Sequence, residues 1–153
     1  MTTVVAGSLC PPGPPEPGWV AIDDATIVET GRGPVPAGRD VVDLGDVLLV
    51  PGYLDLQVNG VGDADFATAG ADGWVRARRR LLAAGTTGFC PTLVTAPLDA
   101  YDAALTRAGR VPASERGGAD VLGVHLEGPF LGGAPGAHSR ELLRTADTSW
   151  LVR

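Results

Sequence analysis

From residue 53 onward, apolar stretches of strand length alternate with amphipathic stretches of helix length, and that alternation leaves few folds open. Tyr53-Leu54-Asp55-Leu56-Gln57-Val58 reads as a strand ending at Asn59-Gly60. Residues 72–84 predict a helix: Asp72 is placed to cap it, Trp74, Ala77, Leu81 and Ala84 share a face, and Gly85 ends it. Phe89 to Val94 reads as a second strand and Leu98 to Ala108 as a second helix. Val121 to Leu126 reads as a third strand, nearly all apolar, as when both faces are covered. Strand-helix alternation with short connections predicts parallel strands joined by right-handed crossovers. A Gly-rich loop then runs to His138, and Arg140 to Arg153 is helix-like but lacks a cap or stop signal. Three parallel strands leave two open edges and an uncovered face, so the chain reads as the front of a larger α/β protein, cut inside a helix.

The first 50 residues follow another pattern. Residues 10–18, CPPGPPEPG, are too rich in proline for a helix or a central strand and are expected to form an irregular surface loop. Short apolar bursts follow at Trp19 to Ile22, Thr26 to Val28, Val41 to Leu44 and Val47 to Val50. Asp23-Asp24, Gly31 to Pro34 and Gly45-Asp46 separate them. This pattern predicts small antiparallel strands in a compact β unit over 1–50, with the β/α segment occupying 51–153.

Composition narrows the function. The 153 residues, 44% of them hydrophobic, suffice for one ordinary core. A net charge of −6 argues against nucleic acid and anionic membrane surfaces as partners. No apolar run approaches the roughly 20 residues of a membrane helix. The N-terminus lacks the basic and apolar regions of a signal peptide. Cys10 and Cys90 form neither a disulfide framework nor a CxxC motif. These features predict a reduced, soluble, cytoplasmic protein.

The strongest chemical signal is His125-Leu126-Glu127-Gly128-Pro129-Phe130-Leu131 at the C-terminal end of a buried strand. Parallel sheets and barrels build their sites at such strand ends. Glu127 is placed to bind a divalent metal, to do acid/base work, or only to pair locally. His125 shares its strand face and is at least as readily an interior hydrogen-bonded histidine as a ligand. Gln57 and Asn59 share a face at the end of the first strand. Neutral amides are poor ligands for zinc, so at a metal site these two would hold water or substrate; strand-end capping is the plain alternative.

Gly136-Ala137-His138 offers a flexible approach to a ligand and an imidazole donor, or simply an exposed loop histidine. Arg76, Arg78, Arg79 and Arg80 resemble a phosphate patch but are expected mostly on the solvated face of the helix. His125-x-Glu127 matches the HxE of zinc deaminases, but no PCxxC follows. The chain carries no dinucleotide fingerprint, no P-loop and no GxSxG nucleophile elbow.

Together, PGYLDLQVNG at 51–60, Gly85-Thr86-Thr87 with Pro91-Thr92-Leu93, HLEGPFL at 125–131 and Gly136-Ala137-His138 closely resemble the N-acetylglucosamine-6-phosphate deacetylase family. The match runs from about residue 18 to the C-terminus. That family belongs to the amidohydrolases. The resemblance therefore implies an α/β fold: the first three strands of a (β/α)8 TIM barrel, preceded by part of a small β-sandwich. It implies that Glu127 is a metal ligand, that Ala137 and His138 touch substrate, and that Gln57, Asn59 and His125 line the active-site mouth. The implied cofactor is one divalent metal ion, zinc first among candidates. The implied substrate is a phosphorylated amino sugar, deacetylated to glucosamine 6-phosphate and acetate, by an enzyme that is a homo-oligomer at full length.

The family's other metal ligands and its catalytic aspartate lie on later barrel strands, beyond Arg153, so the chain alone is expected to be an inactive fragment. A full barrel needs roughly 250 residues. The rival readings are an amidohydrolase acting on another acylated amino sugar or cyclic amide, and a non-enzymatic truncated product.

Overall fold

The computed structural model describes residues 2–10, 13–110 and 117–152. The chain divides into two compact units, Met1–Pro51 and Gly52–Arg153.

The first unit is a four-stranded sheet. Its strands are β1 (Thr3–Leu9), β2 (Glu16–Asp23), β3 (Thr26–Arg32) and β4 (Asp40–Leu49), in the order β3-β2-β1-β4. β2 pairs antiparallel with both β1 and β3. Asp24 and Ala25, with φ of 43° and 65°, make the two-residue turn between β2 and β3, the backbone that matches the twist of paired strands. β1 and β4 run parallel, which corrects the all-antiparallel expectation. The bursts at 41–44 and 47–50 are not separate strands either. Gly45, at φ 65°, with its N–H donating to the Asp43 carboxylate, lets β4 bulge between its pairings at Asp43 and Leu48 and continue.

The proline-rich stretch is also corrected in part. Glu16, Pro17 and Gly18 belong to β2, an inner strand, while Pro11 and Pro12 lie outside the described residues. Pro17 is tolerated because it stands at the very start of the strand, where a missing N–H costs little. The unit's core is small: Val4, Trp19 and Ala21, with Ala6 and Val35 against them.

In the second unit, β5 (Tyr53–Val58), β8 (Thr86–Val94) and a third strand run parallel, with β8 in the middle. Between β5 and β8 lie the short antiparallel pair β6 (Gly60–Val61) and β7 (Ala64–Asp65) and helix α1 (Ala71–Ala83). Helix α2 (Leu98–Gly109) follows β8. The α/β alternation read from the sequence is therefore present. α1 starts one residue earlier than expected, with Gly70 rather than Asp72 at its cap and Asp72 in the first turn, where a negative charge favours the helix dipole. Gly85, at φ 90°, turns the chain from α1 into β8.

The third strand is split into β9 (Asp120–Val121) and β10 (His125–Glu127). β8 pairs Phe89 with Val121 but Thr92 with His125, so the third strand holds one extra residue over that span. The β5–β8 register shifts at the same level, between Asp55 and Val58. Pro91 lies there, in the middle strand, and has no N–H to donate to a ladder.

Phe66, Trp74, Ala77, Leu81 and Phe89 form the core between α1 and the sheet. The Phe66 ring centroid sits 4.7 Å from that of Trp74 and 5.2 Å from that of Phe89. Burying each phenylalanine contributes roughly 1.5–3 kcal/mol. Of the four arginines on α1, Arg78 departs from the solvated face. It is 2% exposed and its Nε donates to Ala119 O at 2.7 Å, tying the helix to the start of β9.

The helix expected over Arg140 to Arg153 does not form as one piece. A 3-10 turn spans Arg140–Leu142, the chain extends at Leu143, and α3 (Thr148–Leu151) begins anew. Arg144 N–H donates to Pro129 O instead of to a helical carbonyl, and the Asp147 carboxylate caps α3 by accepting from Ser149 and Trp150 N–H. Among the described residues no helix is long and apolar enough to cross a membrane.

Candidate active site

The C-terminal ends of β5, β8 and β10 lie side by side, and the polar residues singled out from the sequence gather there. Gln57, near the end of β5, donates through Nε2 to Glu127 Oε2 at 3.1 Å. Asn59, just after β5, donates to the same oxygen at 3.4 Å. The other carboxylate oxygen, Oε1, faces His138 Nε2 at 3.3 Å. Two segments, the end of β5 with Gln57 and Asn59 and the loop with His138, thus converge on one carboxylate. The hydrogen bond from Asn59 does most to hold the Glu127 carboxyl below the usual carboxylate range. Gln57 and His138 add to the lowering, and partial burial opposes it.

His138 reaches this point because its loop is tightly turned. His138 N–H donates to Pro135 O at 3.2 Å, and Gly136 within the turn has φ 60°. That left-handed backbone suits glycine. Ala137 is exposed on the same turn.

His125 has a different setting. Its Nδ1 lies 3.1 Å from Thr92 Oγ1, directly across the β8–β10 ladder, where Thr92 is buried. The structure thus brings Gln57, Asn59, Glu127 and His138 together and holds His125 beside them in a hydrogen bond of its own.

Sequence reasoning missed Thr95. Its Oγ1 lies 2.8 Å from His138 Nδ1 and donates to Glu127 O at 3.3 Å. A hydroxyl just past the end of the central strand was the available signal. Gly128, at φ 97°, explains the glycine of HLEGPF: a Cβ there would lie 2.0 Å from Thr95 Oγ1. A cleft of about 340 Å³ opens beside Asn59, lined in part by Asp63, Asp65, Thr92 and Val94.

As a metal site this donor set is partial. Glu127 supplies an ionised oxygen with lone pairs left over after three hydrogen bonds, whereas Gln57 and Asn59 are neutral amides. Among the described residues no group of three or more His, Cys, Asp or Glu side chains forms a metal-holding set. The residues fit one ligand position for a divalent ion with two amides orienting it.

No family model matches the chain. Curated relatives do. The N-acetylglucosamine-6-phosphate deacetylase of Bos taurus is 45% identical over 108 residues, covering 64% of this chain and 26% of that protein. The Bacillus subtilis enzyme of the same name is 34% identical over 136 residues, covering 85% of this chain and 34% of that protein. The chain is a homologue of N-acetylglucosamine-6-phosphate deacetylases. It spans between a quarter and about a third of the length of these relatives.

Solved structures of such deacetylases carry the likeness along nearly the whole chain. The enzyme from Mycobacterium smegmatis superposes with a TM-score of 0.83 at 30% identity, covering 98% of this chain and 42% of that one. The deacetylase from Thermotoga maritima gives a TM-score of 0.73 at 27% identity, covering 99% and 39%. The α/β fold is therefore shared with N-acetylglucosamine-6-phosphate deacetylases.

Proposed function

We propose that the chain carries part of the active site of a metal-dependent hydrolase. That enzyme removes the acetyl group of N-acetylglucosamine 6-phosphate, giving glucosamine 6-phosphate and acetate in cytoplasmic amino-sugar catabolism. The observation that carries this reading is the convergence of Gln57, Asn59 and His138 on Glu127, in a chain homologous to deacetylases of that name. In this reading β5, β8 and β10 are the first strands of a (β/α)8 barrel, and the first unit is part of a β-sandwich.

Glu127 is the metal ligand. Like any carboxylate at neutral pH it is ionised, as a ligand must be, and its hydrogen bonds favour that form further. A divalent ion such as zinc, when bound, polarises an amide carbonyl and lowers the pKa of a bound water. Gln57 and Asn59 fix the carboxylate's orientation, the part that outer hydrogen bonds play at metal sites. His138 and Ala137 present an imidazole ring and a small, unobstructive methyl to the N-acetyl sugar from the loop beside the carboxylate, the ring being held by Thr95 and Glu127. Because the described residues offer one strong metal ligand, the 153-residue chain by itself is proposed to be inactive.

Amide-resolved NMR of the purified chain, titrated with N-acetylglucosamine 6-phosphate with and without Zn²⁺, tests this reading. Saturable shifts confined to the Ala137–His138 turn and the strand ends are expected. Their absence in both titrations sinks the substrate assignment. No acetate release is expected from the chain alone. Release that Glu127→Gln abolishes would keep the deacetylase reading and overturn the inactivity.

A further inference from the structure

We propose that Thr95 is the positioning residue of this site and that Tyr101 holds it in place; the inference rests on the deacetylase reading above. Thr95 lies where β8 has ended and α2 has not begun, a place where the backbone is not fixed by a ladder. Tyr101, on α2 and only 1% exposed, supplies the missing constraint. Its hydroxyl donates to Val94 O at 3.0 Å and accepts from Ala96 N–H at 3.2 Å, bracketing Thr95 on both sides.

From that clamped position one hydroxyl serves two strangers in sequence. Thr95 Oγ1 donates to the main-chain oxygen of Glu127 and meets Nδ1 of His138. An imidazole held at Nδ1 cannot swing about its χ angles, and its opposite edge, Nε2, is thereby aimed at the Glu127 carboxylate. Thr95 thus sets the orientation of the loop histidine and the height of the strand-end glutamate together. Gly128 leaves room for it, since any side chain at that position would meet the Thr95 hydroxyl. Thr95 touches neither substrate nor metal in this reading; it acts through His138 and Glu127.

The test is ¹⁵N NMR of the His138 ring in the 153-residue chain, comparing Thr95→Val, Thr95→Ser and Tyr101→Phe with the parent. The parent is expected to give a single ring pattern with a hydrogen-bonded Nδ1. Thr95→Val is expected to lose that signature while amides remote from the site keep their positions, and Thr95→Ser to restore it. A His138 pattern unchanged in Thr95→Val overturns the proposal. Should Thr95→Val disturb the whole spectrum, Tyr101→Phe decides, since it deletes one hydroxyl and keeps the buried ring. A shifted His138 signature then supports the assignment and an unshifted one overturns it. Adding N-acetylglucosamine 6-phosphate to the parent separates the two readings. An unresponsive His138 ring counts against the deacetylase reading alone, because the variant comparison is made without sugar.

Discussion

Gln57 and Glu127 lie 70 positions apart in the chain and meet at 3.1 Å, joining the ends of two strands, β5 and β10, that do not pair with each other. The contact reaches over the end of β8, so the carboxylate's geometry reports on the order of all three strands. Gln57 and Asn59 both donate to Oε2, so removing either amide leaves that oxygen with one orienting donor instead of two. Gln57→Ala or Asn59→Ala is expected to weaken Zn²⁺ binding by about 10–100-fold, the usual effect of losing an outer hydrogen bond. Glu127→Gln removes the charged ligand itself and is expected to abolish binding. Calorimetric Zn²⁺ titration checks both; equal affinity in all the variants would place the ion elsewhere.

His125 and Thr92 make a second, separable prediction. Thr92→Val keeps the shape of a buried side chain but leaves His125 Nδ1 without its partner. The expected cost is about 1 kcal/mol of stability. A lower urea midpoint with an unchanged slope is the expected observation. Since His125 bonds across the ladder and Glu127 draws its partners from elsewhere, the sugar-induced shifts at Ala137 and His138 should persist in this variant.

Gly128 combines two demands that alanine cannot meet. Its φ of 97° lies in the left-handed region, and a Cβ would stand against the Thr95 hydroxyl. The backbone strain of Gly128→Ala alone is worth about 1–3 kcal/mol. The collision adds to it or pushes Thr95 away. Circular-dichroism melts of Gly128→Ala should show the loss of stability. If Thr95 yields instead, the His138 ring signature should change as it does in Thr95→Val.

What the sequence made legible follows from how local each signal is. Gln57, Asn59 and Glu127 could be read because strand ends are where parallel sheets place chemistry, and alternation tells which residues share a face. Thr95 could not, because its role depends on where β8 stops and on a tyrosine hydroxyl from the following helix. Arg78 sits in a run of arginines that looks solvated. Only the path of the chain at Ala119 shows that a buried carbonyl awaits its guanidinium. The stretch after Arg140 has helical composition, yet the bond from Arg144 N–H to Pro129 O and the edge-on packing of Trp150 against Tyr101 and Phe130 hold it to other parts of the fold. In the first unit, the β4 bulge at Gly45 looked like a strand break because a bulge and a turn use the same residues.

Asp63 gives a prediction in pH. Its exposed carboxylate accepts from Arg76 at 2.7 Å and from Arg80 at 3.2 Å, fastening the β6–β7 turn to α1. The Arg76 hydrogen bond, first among several causes, lowers the Asp63 pKa below its ordinary value. A carboxyl whose pKa is depressed by folding stabilises the fold above its unfolded value, roughly 3.9, and loses that contribution as pH falls through the folded value. The attachment of this turn to α1 should therefore hold at neutral pH and loosen only in acid. Arg76→Gln is expected to move the Asp63 titration midpoint upward, and high salt should move it the same way, because the pair is exposed and screened. Side-chain carboxyl ¹³C titration of Asp63 measures the midpoint directly. A midpoint that Arg76→Gln leaves in place would mean that Arg80 and the local backbone, rather than Arg76, hold the carboxylate.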